Sequence, residues 1–443
     1  FTSYFVAYLY QFLHFFDPSI TVEYVDLLYP PLTMAIMSLF FFLLIRRLFN
    51  WKVGLLAVTM IQFIPSFLFR SVSSDHDMLA MMFIIMTFYL YIVSWQSEKL
   101  KNKVIFGILT AIVTILAQQT AGSSSFILIV IGGFTLIELL LNKFKEKDYY
   151  PYTAWIGIVT LLNFMYGGFE VIKSTIGSLM GVVPYFTFLV ATTDLVIYKK
   201  SYFKLKSKFE KINLPEGVIG IIVAAIISLI LAFIIFGPDF FLSKLSEIKK
   251  LLFHMYADNR WTLTVAENKK PYVIEWFGQF GRIITWSMML GSILLFYQAV
   301  KEIDKKKYLT ISYAIFIFVY IFSRYSPSSI FNGESTLSRM TFYGALLGFI
   351  GIMIYYYIKT YYHDPEIYKK VSEINPKYAF IFVWFILSVM AATAAVRLTY
   401  EFTPVVMILA SFFLISLFDY FYTRKEPIIR YVGIILLALL LFN

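Results

Sequence analysis

The chain has 443 residues, a net charge of +11 and no cysteine; 60% of it is hydrophobic and only 15% charged. Ordinary soluble domains are about 45–50% apolar and about 25% charged, so a soluble enzyme is excluded, as are disulfides, thiolate metal sites and thiol nucleophiles. Apolar runs of bilayer-spanning length, about 17–25 residues, recur from end to end, which predicts an all-α, polytopic transmembrane bundle rather than a secreted precursor with a single signal segment.

Residues 1–28 are aromatic and carry no charged side chain before Asp17, and read as an interfacial or re-entrant outer segment turning at Asp17-Pro18-Ser19. Spanning helices, about fourteen in all, are predicted near 29–48, 53–69, 77–95, 104–119, 125–141, 152–168, 175–197, 217–236, 280–300, 308–323, 341–358, 378–394, 402–420 and 430–443. Pro30 and Pro31 suit the first turn of the first of them. The chain thus divides into helices over 29–236, a long polar loop over 237–279, and helices over 280–443. Phe1 is not an initiator Met and no hydrophilic tail follows the last apolar run, so both ends read as cut.

The charge is distributed by loop. Of the 38 Lys and Arg, 26 fall in alternate loops around 46–52, 96–103, 142–151, 198–216, 301–307, 359–377 and 421–430, and 12 fall elsewhere. Basic loops mark the cytoplasmic side. This explains the net charge without nucleic acid, and it predicts a multi-pass plasma membrane protein. It also places every polar cluster of chemical interest on the external face.

Four clusters are of that kind. In "RSVSSDHDMLAMMF", Asp75 and Asp77 flank His76 just before a span. A helix cap explains one acid there. Two carboxylates and an imidazole at the bilayer edge, where unpaired charge is costly, also suit a divalent cation, because hard cations take several oxygens. In the long loop, "TVAEN" carries Thr264 and Glu267; Glu267 reads either as a third metal carboxylate or as a solvated partner of Lys269 or Lys270. Arg397, alone between two apolar spans, reads as a snorkelling side chain or as a guanidinium clamp on phosphate. Arg324, Asn332, Glu334 and Arg339 make 323–339 polar, and Pro327 and Asn332-Gly333 suit an ordinary turn.

Together these stretches resemble the catalytic subunit of oligosaccharyltransferase, the GT-C-type membrane glycosyltransferase of asparagine-linked glycosylation, in its archaeal form. "RSVSSDHDMLAMMF" resembles the family's second acidic motif, "TVAEN" its TIxE/SVSE motif, and "AAVRLTYEFTPVVMIL" the segment whose arginine faces the donor phosphate. The resemblance implies Asp75, Asp77 and Glu267 as ligands of Mn2+ or Mg2+, with His76 as a further candidate. It implies Asp75 and Glu267 as catalytic, and Thr264 and Glu267 as the residues that meet the acceptor. Arg397 would meet the donor phosphate, with Arg324 and Arg339 as alternatives. The implied reaction is inverting transfer of an oligosaccharide from a dolichyl-type phosphate lipid to Asn of Asn-x-Ser/Thr. The family's first acidic motif and the WWDxG of its C-terminal soluble domain are absent from this sequence, so the fragment alone is expected to be inactive. Residues 308–358 read as a helical hairpin inserted into the family pattern. Two other readings stand: another polyprenyl-phosphate-sugar enzyme, such as a protein O-mannosyltransferase, and a transporter. The second is disfavoured because few spans carry mid-helix polar residues.

Overall fold

The computed structural model describes residues 1–209, 211–254, 269–428, 430–433 and 435. Among these the chain is helical, with a single isolated β-bridge between Arg324 and Asn332 in place of any strand. Ten helices are long and apolar enough to cross a membrane, or twelve if each of two sharply bent pairs makes one span. The predicted spans up to 402–420 each find their helix; that at 308–323 is Lys306–Phe322, only 17 residues long. The predicted span at 430–443 falls mostly outside the described residues.

The differences lie in bends and starts. The span predicted at 53–69 is two helices, Trp51–Gln62 and Pro65–Val72, meeting at 67°. That at 152–168 is the longer helix Glu146–Gly177, kinked where Gly167 and Gly168 leave helical geometry. That at 280–300 is preceded by a separate helix, Val273–Phe280, which meets Arg282–Ala299 at 111° across Gly281, whose φ of +82° favours glycine. The predicted loop 237–279 also contains the helix Asp239–His254. The first spanning helix begins at Val22, not at 29, so Pro30 and Pro31 lie inside it rather than in its first turn. Neighbouring helices and local bonds make such prolines tolerable in a membrane; Thr33 Oγ1, for one, donates to the Pro30 carbonyl at 2.9 Å.

The chain forms two compact units, one of Phe1–Leu44 with Leu68–His254 and one of Ile45–Phe67 with Met255–Asn443. In the first, the helix His76–Gln96 is the core, with nearly every side chain from Met78 to Ser94 buried. With no water available, polar groups there must find protein partners. Tyr91 Oη lies 2.6 Å from Thr135 Oγ1, Trp155 Nε1 donates to Thr114 Oγ1 at 3.1 Å, and Ser94 Oγ donates to the Lys103 carbonyl at 2.7 Å. Lys103 and Asp148 form a buried ion pair at 2.7 Å.

In the second unit the core is the helix Thr399–Tyr422, buried almost continuously from Thr399 to Leu414. The helix Arg282–Ala299 approaches it so closely at Gly291 that a Cβ there would lie 2.1 Å from the Leu409 carbonyl oxygen. This is the close backbone contact that small residues permit between membrane helices. Lys52 of the helix Trp51–Gln62 pairs with Asp419 at 3.0 Å. Lys306–Phe322 and Thr336–His363 form an antiparallel hairpin: the rings of Phe316 and Phe349 stack at 4.7 Å and those of Tyr320 and Phe342 at 4.5 Å.

Candidate active site

The acidic cluster sits in the first unit, at the N-terminus of its core helix. Asp75 is the N-cap of His76–Gln96, in extended backbone, and one carboxylate oxygen, Oδ1, accepts from the His76 amide at 2.7 Å. That oxygen also lies 2.6 Å from His76 Nδ1. The imidazole therefore lies between the two acids, with Nε2 3.7 Å from Asp77 Oδ1. Asp77 is in the first helical turn, where the helix dipole favours an acid, and its other oxygen accepts from Arg70 Nε at 2.6 Å. Arg70 belongs to the short helix Pro65–Val72, in its last turn.

Capping and metal binding, alternatives on sequence grounds, are compatible here. Asp75 caps with Oδ1, and its other oxygen has no hydrogen bond among the described residues. Asp77 gives one oxygen to Arg70 and turns the other toward His76. Ligand atoms of Asp75, His76 and Asp77 lie within 4.8 Å of one another. Cation–ligand bonds of about 2.0–2.6 Å span such separations, so this donor set fits part of the coordination of a divalent cation. Asp75 and His76 are about half exposed, at 47% and 50%, which leaves room for ligands from elsewhere.

Two groups that sequence reasoning missed belong to this cluster. Ser74 Oγ donates to Asp26 Oδ2 at 2.5 Å, and the Tyr29 hydroxyl donates to the Asp75 carbonyl at 2.8 Å. Asp26 and Tyr29 are three residues apart, hence on one face of the helix Val22–Leu48. Pro30 has no N–H to offer the Asp26 carbonyl four residues back. The available signal was that spacing, hidden by starting the helix at 29.

The other candidates belong to the second unit. Thr264 and Glu267 lie outside the described residues. Lys269, two positions after Glu267, pairs with Glu275 at 3.5 Å, and its carbonyl accepts from the Val396 amide at 2.9 Å. Arg397 follows in the short 3-10 turn Val396–Leu398, with its side chain exposed. Trp276 and Phe280 pack against Phe402, with ring centres 5.1 and 6.0 Å away, and so hold the helix Val273–Phe280 to the start of Thr399–Tyr422.

Arg324 is placed differently. It is 8% exposed; its Nε donates to the Pro271 carbonyl at 2.9 Å, and its guanidinium lies 4.8 Å from the centre of the Tyr272 ring. Burial lowers its pKa from the ordinary arginine value. The Val273 amide in turn donates to the Arg324 carbonyl at 3.1 Å, and Gly333, at φ +77°, lies so close that a Cβ would meet the guanidinium at 2.5 Å. Arg324 thus fastens 271–273 to the 323–333 loop. Arg339 is half-buried in the first turns of Thr336–His363.

The chain is similar in structure to the archaeal oligosaccharyltransferase AglB from Archaeoglobus fulgidus in complex with an inhibitory peptide and a dolichol-phosphate, at 14% identity and a TM-score of 0.62 over 98% of this chain. The apo form of the Archaeoglobus fulgidus oligosaccharyltransferase matches at 15% identity with a TM-score of 0.63, again over 98% of this chain. The form tethered to an acceptor peptide containing the NVT sequon matches at 15% with a TM-score of 0.59 over 98%. The chain spans less than half of those proteins, 45%, 46% and 45% of their length. At such identities the likeness is one of fold, and the fold is that of a multi-pass membrane protein. A family model described as oligosaccharyl transferase STT3, N-terminal, matches residues 1–218, the stretch that contains Asp26, Arg70, Asp75, His76 and Asp77. That match takes in just under half of the chain, 218 of its 443 residues.

Proposed function

We propose that the chain is the membrane part of an oligosaccharyltransferase catalytic subunit. It would transfer an oligosaccharide from a dolichyl-type phosphate lipid to the Asn of Asn-x-Ser/Thr, with inversion at the sugar carbon, on the external face of the plasma membrane. The observation that carries the reading is the Asp75–His76–Asp77 cluster at the head of a buried helix, within the segment that matches the family. Structures of the similar Archaeoglobus fulgidus enzyme in complex with dolichol-phosphate and tethered to a sequon peptide support the choice of donor and acceptor.

An amide nitrogen is a poor nucleophile because resonance ties up its lone pair. Carboxylates that accept from both amide N–H groups weaken that conjugation; Asp75 and Glu267 are assigned this part, with Thr264 beside the acceptor. Arg70 keeps Asp77 in one rotamer and supplies a fixed positive charge to the cluster. Arg397 is assigned to the donor phosphate, where a guanidinium fork matches the oxygens and stabilises charge developing on the leaving group. Its exposure supports that choice over Arg324, whose guanidinium is taken up by Pro271 and Tyr272. Asp75, Asp77 and Glu267, with His76, would hold Mn2+ or Mg2+, which when bound offsets the negative charge gathered there.

The test expresses the chain together with any coding sequence that flanks it in its gene. It supplies dolichyl-phosphate-linked oligosaccharide with an Asn-x-Thr peptide and follows the peptide's mass. Transfer to Asn that stops with EDTA and returns with Mn2+ is the expected result. Transfer to Ser or Thr of a sequon-free peptide would point instead to an O-glycosyltransferase, and transfer indifferent to EDTA would remove the metal from the proposal. Arg70→Met should raise the Mn2+ concentration needed for half-maximal transfer by about 10–100-fold, the usual effect of losing a group that orients a metal ligand.

A further inference from the structure

The helix Glu216–Phe236 has a mean hydropathy of 3.3 and buries only Gly217, Ile219, Gly220 and Ala224. Its upper half therefore rests on little protein. Where it leans toward the helix Leu179–Asp194 the two leave a cavity of about 490 Å3, walled by Tyr185, Leu189, Ala225, Leu229 and Ala232 among other apolar side chains. That volume lies within the range of about 300–1,000 Å3 typical of small-ligand sites. The walls are almost wholly hydrocarbon, so a chain rather than a polar molecule suits them.

One end of this slot is different. There the rings of Phe236 and Phe240 stack at 4.2 Å, with Gly237 turning the backbone between them at φ +81°. Lys173 Nζ lies 6.0 Å from the centre of the Phe236 ring and Lys244 Nζ 5.6 Å from that of Phe240. Cations so placed over ring faces are held near the slot rather than swinging free. Lys244 pairs with Glu247 one turn on, and Glu170, a turn before Lys173, is exposed. Lys173, in the helix Glu146–Gly177, and Lys244, in Asp239–His254, are both among the 12 basic residues that fall outside the cytoplasmic loops.

We infer that this slot binds one anionic phospholipid, with an acyl chain between Leu179–Asp194 and Glu216–Phe236 and the headgroup phosphate at Lys173 and Lys244. Charge complementarity selects the occupant: an apolar cleft ending in two lysines matches a molecule with a hydrocarbon tail and an anionic head. None of its residues is assigned a part in the proposed reaction, so the proposal does not depend on that reaction.

Native mass spectrometry of the chain, exchanged into mixed micelles with phosphatidylglycerol or phosphatidylcholine of identical acyl chains, tests this. One phosphatidylglycerol should be retained in preference to phosphatidylcholine. Lys173→Ala with Lys244→Ala should weaken that retention about 25-fold, at about fivefold per juxtamembrane lysine. The paired arginine substitutions should keep it, and Ala232→Phe, which fills the slot, should abolish it. Equal retention of the two lipids in the unmodified chain overturns the proposal. So does loss on removing the lysines with none on filling the slot, which would mean headgroup binding at the surface. Loss on filling with no effect of the lysines overturns the anionic choice.

Discussion

Asp75→Asn should leave the protein folded and nearly abolish transfer. Asparagine is as good an N-cap as aspartate, so the bond from the His76 amide survives and the core helix keeps its start. The carboxylate charge is lost, and with it one of the two carboxylate ligands of the cluster. Transfer should fall by about 100-fold or more, beyond the effect typical of losing an outer partner of a metal ligand, while the melting temperature barely moves. Asp75→Ala removes both functions and should add about 1 kcal/mol of destabilisation from the lost cap. If the two variants lose equal activity but Asn also melts early, the carboxylate's role would be mainly structural. If Asn retains full transfer, Asp75 is a cap and nothing more.

The largest effect on stability should come from the opposite end of the same unit. Lys103→Met strips Asp148 of its partner in a site where the two side chains are 7% and 6% exposed. Lys103 Nζ also donates to the Trp95 carbonyl at 2.7 Å, and Asp148 accepts from the Lys145 amide at 3.0 Å. Leaving one charge of a buried pair uncompensated costs about 3–5 kcal/mol. The variant should unfold at much lower denaturant or temperature in detergent. Asp148→Asn added to Lys103→Met should restore most of the loss, because a neutral amide can still accept from the Lys145 N–H. A double variant as unstable as the single one would show that packing of the lysine stem matters more than charge.

In the sequence Lys103 is one of the basic residues of the loop 96–103 and nothing singles it out. Its partner lies 45 residues away, and no local pattern links them. The spans themselves were legible because apolar length is a local property. Their breaks were less so: Gly281 and the Gly167-Gly168 pair look like ordinary membrane glycines until the backbone is seen. The acidic cluster was legible as a motif, since its three residues are consecutive. Arg70 was visible as a neighbour, but its bond to Asp77, seven residues on, is not implied by any local pattern. Asp26 and Tyr29 were hidden by a helix start placed seven residues late. Arg324, on sequence grounds an alternative for the donor phosphate or part of an ordinary turn, is 8% exposed and bonded to the Pro271 carbonyl, a placement that depends on tertiary packing.

The hairpin of Lys306–Phe322 and Thr336–His363 has one more consequence. Its second helix has 28 residues and buries only Ser338 and Thr360. At 1.5 Å per residue it is about 42 Å long, against a hydrocarbon core of about 30 Å. Protein contacts fix it mainly along one ring-lined edge, so the surrounding lipid sets how the excess length is accommodated, by tilt or by protrusion. Its last three turns include Tyr355, Tyr356, Tyr357, Tyr361 and Tyr362, the amphipathic rings that settle at headgroup level. Bilayer thickness therefore bears on this helix, whose Phe349 stacks on Phe316 and so adjoins Tyr313 and Phe296.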